Sequence, residues 1–367
     1  DIPTRIGGYK PENYHSGYDG AISAKKALAR SLNVPAVRML REFGVERFQY
    51  ILKKTGLTTL NRPSEHYGLS LILGGAEASL WDLTGAYASM GRSLQHFIGY
   101  SSRYDPSDYH SLKYIKENPD NEDEAALEKS SVYSSSAIYF TFRAMLELER
   151  PGEEAGWEYY NSSKNIAWKT GTSYGFRDAW AIGLTPDYVV GVWVGNADGE
   201  GRPSLTGFQS AAPVLFDIFD VLPDSEPWFF PPYDDMVREV VCEKSGFLAS
   251  PNCDEVDTVW IPKNGLRFKT CPYHKIIHLT KDEKYRVHSE CVEPRDMLHK
   301  SWFVLPPAME WYYQRTNSGY KKLPPFRDDC LQNMLSSEKI SSMEILYPDY
   351  HAKIYIPLEL DGKRGRT

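Results

Sequence analysis

The sequence predicts an α/β domain, then a small β-rich module that carries cysteines, then the start of a further β-domain. Three observations point there. Over residues 1–222, helical stretches with one apolar face lead into a strand, a long hairpin and another helix. Residues 223–232, PDSEPWFFPP, break that pattern. The five cysteines, Cys242, Cys253, Cys271, Cys291 and Cys330, all fall after the break. We expect boundaries at 1–222, 223–336 and 337–367.

Composition narrows the function classes. The 367 residues suffice for two or three domains, and nine Trp with 25 Tyr indicate an ordered, aromatic-rich chain. A net charge of −7 carries no general nucleic-acid signature. No uninterrupted apolar run reaches membrane-spanning length, and no signal peptide is present. The chain begins at Asp1 rather than Met, so an anchor missing here says little about a parent protein.

Residues 1–20 are rich in Gly, Pro and Tyr and read as irregular chain without a core of its own. Residues 23–30 are a helical stretch with Ala24, Ala27 and Leu28 on one face. Pro35 suits the first turn of a second helix, whose apolar Val37, Met39, Leu40 and Phe43 lead to Gly44. A third helix spans 46–54, a fourth 77–90 and a fifth 135–149, ended by Pro151-Gly152. Residues 96–131 turn polar and acidic, as a solvated excursion does. Strands are expected at 178–184 and 188–194, joined by Thr185-Pro186-Asp187, with a helix at 209–219. Beyond residue 232, short strands are expected at 236–242, 258–261 and 276–279, and further ones at 345–347 and 353–356. Residues 302–325 are rich in proline and aromatics.

Two short motifs carry chemistry. Lys169-Thr170-Gly171-Thr172 heads the hairpin, on the strand before it. Lys169 supplies a positive charge, and Thr170 and Thr172 supply hydroxyls for a carboxylate. Gly171 lets a ligand backbone approach the strand. Ser31-Leu32-Asn33 lies between two helices, where Leu32 can anchor inward while both polar side chains point one way. Ser and Asn are also common helix caps, so that motif alone has a structural reading. Tyr174, Phe176, Trp180 and Tyr188 can line a cleft, but aromatics beside a strand more often pack in a core.

With Ser31-Leu32-Asn33 and Lys169-Thr170-Gly171 in this order, the sequence resembles the transpeptidase domain of class A penicillin-binding proteins. The likeness extends to PENY, ALARSLNVPAVRML, HYGLSLILGGAEASLWDLTGAYA, WKTGTSYGFRDAWAIGLTPDYVVGVWVGN and WFVLPPAMEWYY, spread over most of the chain. It implies a penicillin-binding protein/serine β-lactamase-like fold, incomplete at its N-terminus. It implies proton transfer by Ser31 and a grip on the substrate amide by Asn33. Lys169, Thr170, Gly171 and Thr172 would bind the carboxylate end of a D-Ala-D-Ala stem peptide, or of a β-lactam. The Thr172 N–H would be an oxyanion donor. No cofactor is implied.

The family's acylated serine, in a Ser-x-x-Lys element well upstream of Ser-x-Asn, has no match, since 30 residues precede Ser31. Ser23-Ala24-Lys25-Lys26 spells the pattern, yet a continuous helix would hold Ser23 and Ser31 about 12 Å apart. Ser336-Ser337-Glu338-Lys339 lies past the domain boundary. This chain alone is therefore expected to be inactive, with an open sheet edge and an uncovered apolar face. The glycosyltransferase domain and membrane anchor of such proteins would precede it.

The resemblance also implies the periplasmic side of a bacterial inner membrane, an oxidising compartment. Cys271-Pro272-Tyr273-His274 permits a zinc half-site, but no Cys-x-x-Cys occurs, and disulfides are favoured. Proximity suggests Cys242 with Cys253 and Cys271 with Cys291, leaving Cys330 over. The first function is thus a D,D-transpeptidase of peptidoglycan synthesis, with other cell-wall synthesis proteins as partners. The alternatives are a non-catalytic scaffold or binding module, and a D,D-carboxypeptidase or β-lactamase.

Overall fold

The first helices follow the apolar spacing in part: Ala27, Val37 and Leu40 are buried, whereas Ala24, Met39 and Phe43, expected on the same faces, are exposed. The computed structural model describes residues 1–115, 126–149, 164–225, 227–264 and 268–336. Helix α1 (Ala24–Ala29) starts where the Ser23 side chain accepts the Lys26 N–H. Helix α2 (Asn33–Phe43) buries Val34, Val37 and Leu40 along one face, and Gly44 ends it at φ 95°. Helix α3 (Val45–Lys54), α4 (Ser64–Tyr67) and a 3-10 segment (Gly68–Leu73) close a small cluster of Leu40, Leu57, Leu60, Tyr67 and Leu71. Helix α5 (Leu80–Gly99) begins at Ser79, which accepts the Asp82 N–H. It runs past residue 90 because Leu94 and Phe97 are themselves buried. Helix α6 covers Ser135–Met145.

Strands β1 (Ala167–Thr172), β2 (Asp178–Leu184) and β3 (Val189–Gly195) form an antiparallel sheet in that order. Lys169 stands opposite Ile182, Gly171 opposite Trp180 and Thr172 opposite Ala179. On one face Leu94, Ile138, Phe142 and Met145 of α5 and α6 pack on Ala167 and Leu184. On the other, a π-helical turn (Gly207–Ala211) and α7 (Ala212–Val221) set Ala211, Leu215, Phe216 and Phe219 against Trp168, Ala179, Ala181 and Val192. The expectation of an uncovered apolar face is therefore corrected, because helices cover both faces among the described residues. Burying both faces supplies most of the driving force for such a layer. A Cβ on Gly191 would lie 2.2 Å from Thr84 Oγ1, so this glycine sets how closely α5 lies on β3.

The chain divides into two units. One holds Ile22–Val240 with Thr258–Phe268; the other holds Asp1–Ala21, Val241–Asp257 and the chain from Lys269. The turn-rich start closes on itself through Asp1 N to Gly20 O (2.6 Å) and rests Tyr18 against Tyr312. Strand β4 (Met236–Cys242) pairs with β5 (Val256–Pro262). Strand β6 (His274–Leu279) pairs antiparallel with β7 (Leu298–Phe303), a strand that the sequence reading lacked. The proline-rich tract contains a helix, α8 (Pro307–Thr316), with proline at the start where its missing N–H costs nothing. Helix α9 spans Asp328–Ser336. Residues 118–124, 151–152 and 337–367, for which sequence expectations were stated, lie outside the described residues. No helix among the described residues is long and apolar enough to cross a membrane.

The cysteine pairing differs from the expectation. Cys291 bonds to Cys330, with Cα atoms 5.2 Å apart, and Cys242, Cys253 and Cys271 remain thiols. Neither Cys242–Cys253 nor Cys271–Cys291 forms. Long-range backbone contacts override nearness in sequence. Arg286 N donates to Pro325 O (2.8 Å) and Arg327 N to Arg286 O (3.0 Å). These bonds bring the start of α9 beside Cys291.

Candidate active site

The end of α1 has an unusual residue at its turning point. Ser31 N donates to Leu28 O and Leu32 N to Ala27 O, each at 3.0 Å. These are the two bonds of a Schellman ending, whose C′ position normally holds glycine. Here it holds Ser31, at φ 52°. A side chain in this left-handed region costs about 1–2 kcal/mol. The exposed hydroxyl that results accepts a hydrogen bond from Lys169 Nζ, across 138 positions of sequence. Lys169 Nζ also donates to Thr170 O at 2.9 Å. An ammonium has three donors, so one remains for an anionic ligand. Burial pulls the pKa of Lys169 down to about 8.

Strand β1 is held from below by Trp168, which is fully buried. Its indole N–H reaches Leu148 O (3.4 Å) and its ring meets Phe216 edge-on at 5.0 Å. Alternation along the strand then puts Lys169 and Gly171 on the α6 face and Thr170 and Thr172 on the α7 face. The Thr172 Oγ1 accepts the Gly207 N–H at 3.0 Å, which leaves its own proton to donate. Ser173 N donates to Asp178 O, so antiparallel alternation turns the Thr172 N–H away from β2, toward the outer edge of β1. Among the described residues, β1 is an edge strand.

Gly207 is a residue that the sequence reading missed. A Cβ there would lie 2.4 Å from Trp180 O and 2.6 Å from Gly171 O. Only glycine lets the π-helical turn lie on the strand that carries the Lys-Thr-Gly triplet. The local signal was a glycine after Thr206, whose side chain caps the turn through Gln209 N. Gly171 is different. Its Cβ would meet only Trp180, at 3.6 Å, an ordinary contact. The fold alone does not demand glycine at 171.

The structure thus brings Ser31 together with Lys169. Asn33 opens α2 two residues later and is half-buried, as is Leu32. Ser23, the first residue of the other Ser-x-x-Lys pattern, is occupied as a helix cap, and Lys25 pairs with Glu147. Of the four aromatics near the strand, Tyr174 is fully exposed and belongs to no core, while Tyr188 packs against the α7 side.

No family model matches the chain. Penicillin-binding protein 1C of Escherichia coli (strain K12) is 31% identical over 390 residues, covering 99% of this chain and 43% of that protein. Penicillin-binding protein 1A of Aquifex aeolicus is 28% identical, over 71% of this chain and 34% of that protein. The crystal structure of penicillin-binding protein 1A from Haemophilus influenzae matches with a TM-score of 0.51 and 17% identity, over 74% of this chain and 44% of that one. At that identity the likeness is one of fold: a mixed α/β architecture, here accompanied by a small β-region with a disulfide. The chain spans less than half the length of each of these proteins.

Proposed function

We propose that this chain is part of a penicillin-binding protein and orients the donor peptide in a serine D,D-transpeptidase, a reading supported by its partial-length similarity to penicillin-binding proteins 1C and 1A. In this reading the whole protein is a bifunctional, 1C-type class A enzyme on the periplasmic side of the inner membrane. It is anchored there by a segment outside this sequence. Its substrate is a peptidoglycan stem peptide ending in D-Ala-D-Ala, and β-lactams bind as mimics. The transpeptidase portion is taken as residues 1–222 and the cysteine-bearing module as 223–336.

The observation that carries the reading is the Lys169–Ser31 hydrogen bond, made from the same edge strand that turns the Thr172 N–H outward. Acyl transfer needs a grip on the terminal carboxylate, a donor for the developing oxyanion and a proton route to the leaving amine. Lys169 with the Thr170 and Thr172 hydroxyls supplies the first, and the Thr172 N–H the second. Ser31, in contact with an amine whose pKa is about 8, supplies the third, because both protonation states are within reach near neutral pH. Asn33 orients the substrate amide.

Ser23 favours a second reading for this chain in isolation. Its hydroxyl caps α1 by accepting the Lys26 backbone N–H, so Ser23 is not poised as the family's acylated serine would be. The test is intact-mass analysis after incubation with benzylpenicillin. We expect no stable adduct on this chain, and one adduct on a longer polypeptide that includes a Ser-x-x-Lys segment. Stoichiometric addition at Ser23 or Ser31 would overturn the roles given above. No addition to either polypeptide would favour the scaffold.

A further inference from the structure

Outside the transpeptidase-like unit, three thiols and one imidazole converge. Cys242 closes β4, Cys253 ends a tight turn (Cys253 N to Ser250 O, 3.0 Å), and Cys271 lies just before His274, the first residue of β6. Their ligand atoms all lie within 4.8 Å of one another. His274 Nδ1 is 3.4 Å from both Cys242 Sγ and Cys271 Sγ. Zinc bonds of about 2.3 Å to sulfur and about 2.0–2.1 Å to nitrogen, set tetrahedrally, give N–S edges of about 3.6 Å. The two observed separations are close to that edge.

We propose that Cys242, Cys253, Cys271 and His274 form a structural zinc site. Three observations support it beyond the spacing. A neutral imidazole nitrogen has one proton or one lone pair, so Nδ1 cannot satisfy two thiols, whereas a central cation satisfies all four groups. The other ring nitrogen, Nε2, lies 3.0 Å from Asp254 Oδ1, in ion-pair range though off the line of a directed hydrogen bond. A carboxylate at that place holds the tautomer whose Nδ1 lone pair points at the sulfurs, as behind other zinc-bound histidines. Donors also face the sulfurs: Ser245 Oγ is 3.2 Å from Cys271 Sγ and the Ser250 N–H donates to Cys253 Sγ at 3.3 Å. Such donors suit thiolates.

The site is enclosed. Cys242 is 0% and His274 3% exposed, Cys271 is buried and Cys253 half-buried, and the His274 ring lies against Phe303 with centroids 5.1 Å apart. A disulfide between any two of the thiols would strand the third beside a buried histidine. The S₃N donor set, with two N–S separations near a tetrahedral edge, selects zinc among the common divalent ions. Zinc-bound, enclosed sulfurs also resist oxidation, which lets them coexist with the Cys291–Cys330 disulfide of the same unit.

The test uses the full chain, purified without chelator. Zinc is measured by elemental analysis, and cobalt(II) is substituted to read the visible spectrum of a tetrahedral thiolate site. We expect one zinc per chain, lost in Cys271→Ser and His274→Ala and retained in the Cys291→Ser/Cys330→Ser double variant. Should the ligand variants misfold, zinc uptake and the cobalt spectrum of the unsubstituted chain decide the site, and Asp254→Asn tests the carboxylate, since Asp254 is exposed and is not a ligand. It should keep the stoichiometry at saturating zinc and weaken affinity about 10–100-fold. Two results would overturn the site. One is a folded, reduced chain that takes up neither zinc nor cobalt. The other is a disulfide among Cys242, Cys253 and Cys271 in metal-supplied protein. Unchanged affinity in Asp254→Asn would overturn the role given to that carboxylate.

Discussion

Ser31 occupies a position where glycine would relieve strain, and its hydroxyl meets Lys169. Ser31→Gly should leave stability unchanged or raise it by about 1 kcal/mol, since relief of the left-handed φ is partly offset by a freer unfolded chain. Urea midpoints measure that. The same variant in a penicillin-labelling polypeptide should lose most of its labelling rate. Lys169 shows the complementary effect. Its pKa falls from 10.5 to about 8 on burial, so between those values the unfolded chain binds more protons than the folded one. Stability therefore rises with pH from about 8 to 10.5, and the charged form costs stability below 8. Lys169→Met should stabilise the chain at pH 7 by about 1 kcal/mol and flatten that rise in a pH series of melts. Reversible affinity of the unsubstituted chain for a carboxylate-bearing β-lactam, read by calorimetry, should weaken as pH climbs through about 8. Lys169 and Ser31 were legible as motifs because each is spelled locally. The left-handed φ of Ser31 was not, because the ending of α1 produces it.

At the scale of elements, the hairpin and the strand before it were legible from β-branched and aromatic runs bounded by turn residues. Helix α5 was read short because polar residues after position 90 hid the buried Leu94 and Phe97. Strand β7 was missed because it is half exposed and finds its order by pairing with β6. Two glycines on one patch allow a sharp comparison. Gly207→Ala forces the π-helical turn off β1 and should cost about 1–3 kcal/mol. Gly171→Ala meets only Trp180 at 3.6 Å and should change stability far less. Guanidinium titrations of the two variants check this. Equal losses would mean that Gly207 does not set the approach of the turn to the strand.

At the scale of the whole molecule, the division into two units matters for how a perturbation is read. The Cys291–Cys330 bond closes a span of 39 residues. Loop-closure entropy for that span is about 4 kcal/mol, an upper figure in practice. The Cys291→Ser/Cys330→Ser variant should lose hydrogen-exchange protection first at Arg286 and Arg327, whose backbone bonds hold the two cysteine segments together. Full protection there would show that those bonds suffice without the disulfide.

The sequence by itself determined where the helices lie and part of their buried faces, the hairpin and the order of the two polar motifs. Each depends on neighbours within about a turn or a strand, where apolar period and backbone propensity act. Tertiary structure alone decided that Lys169 lies against Ser31, that Gly207 seats the turn on β1, and that Cys291 takes Cys330. It also decided that three thiols gather round His274. These partnerships span tens to hundreds of residues. They are fixed by which surfaces are buried together, a choice made by the packing of whole elements and not by any local pattern.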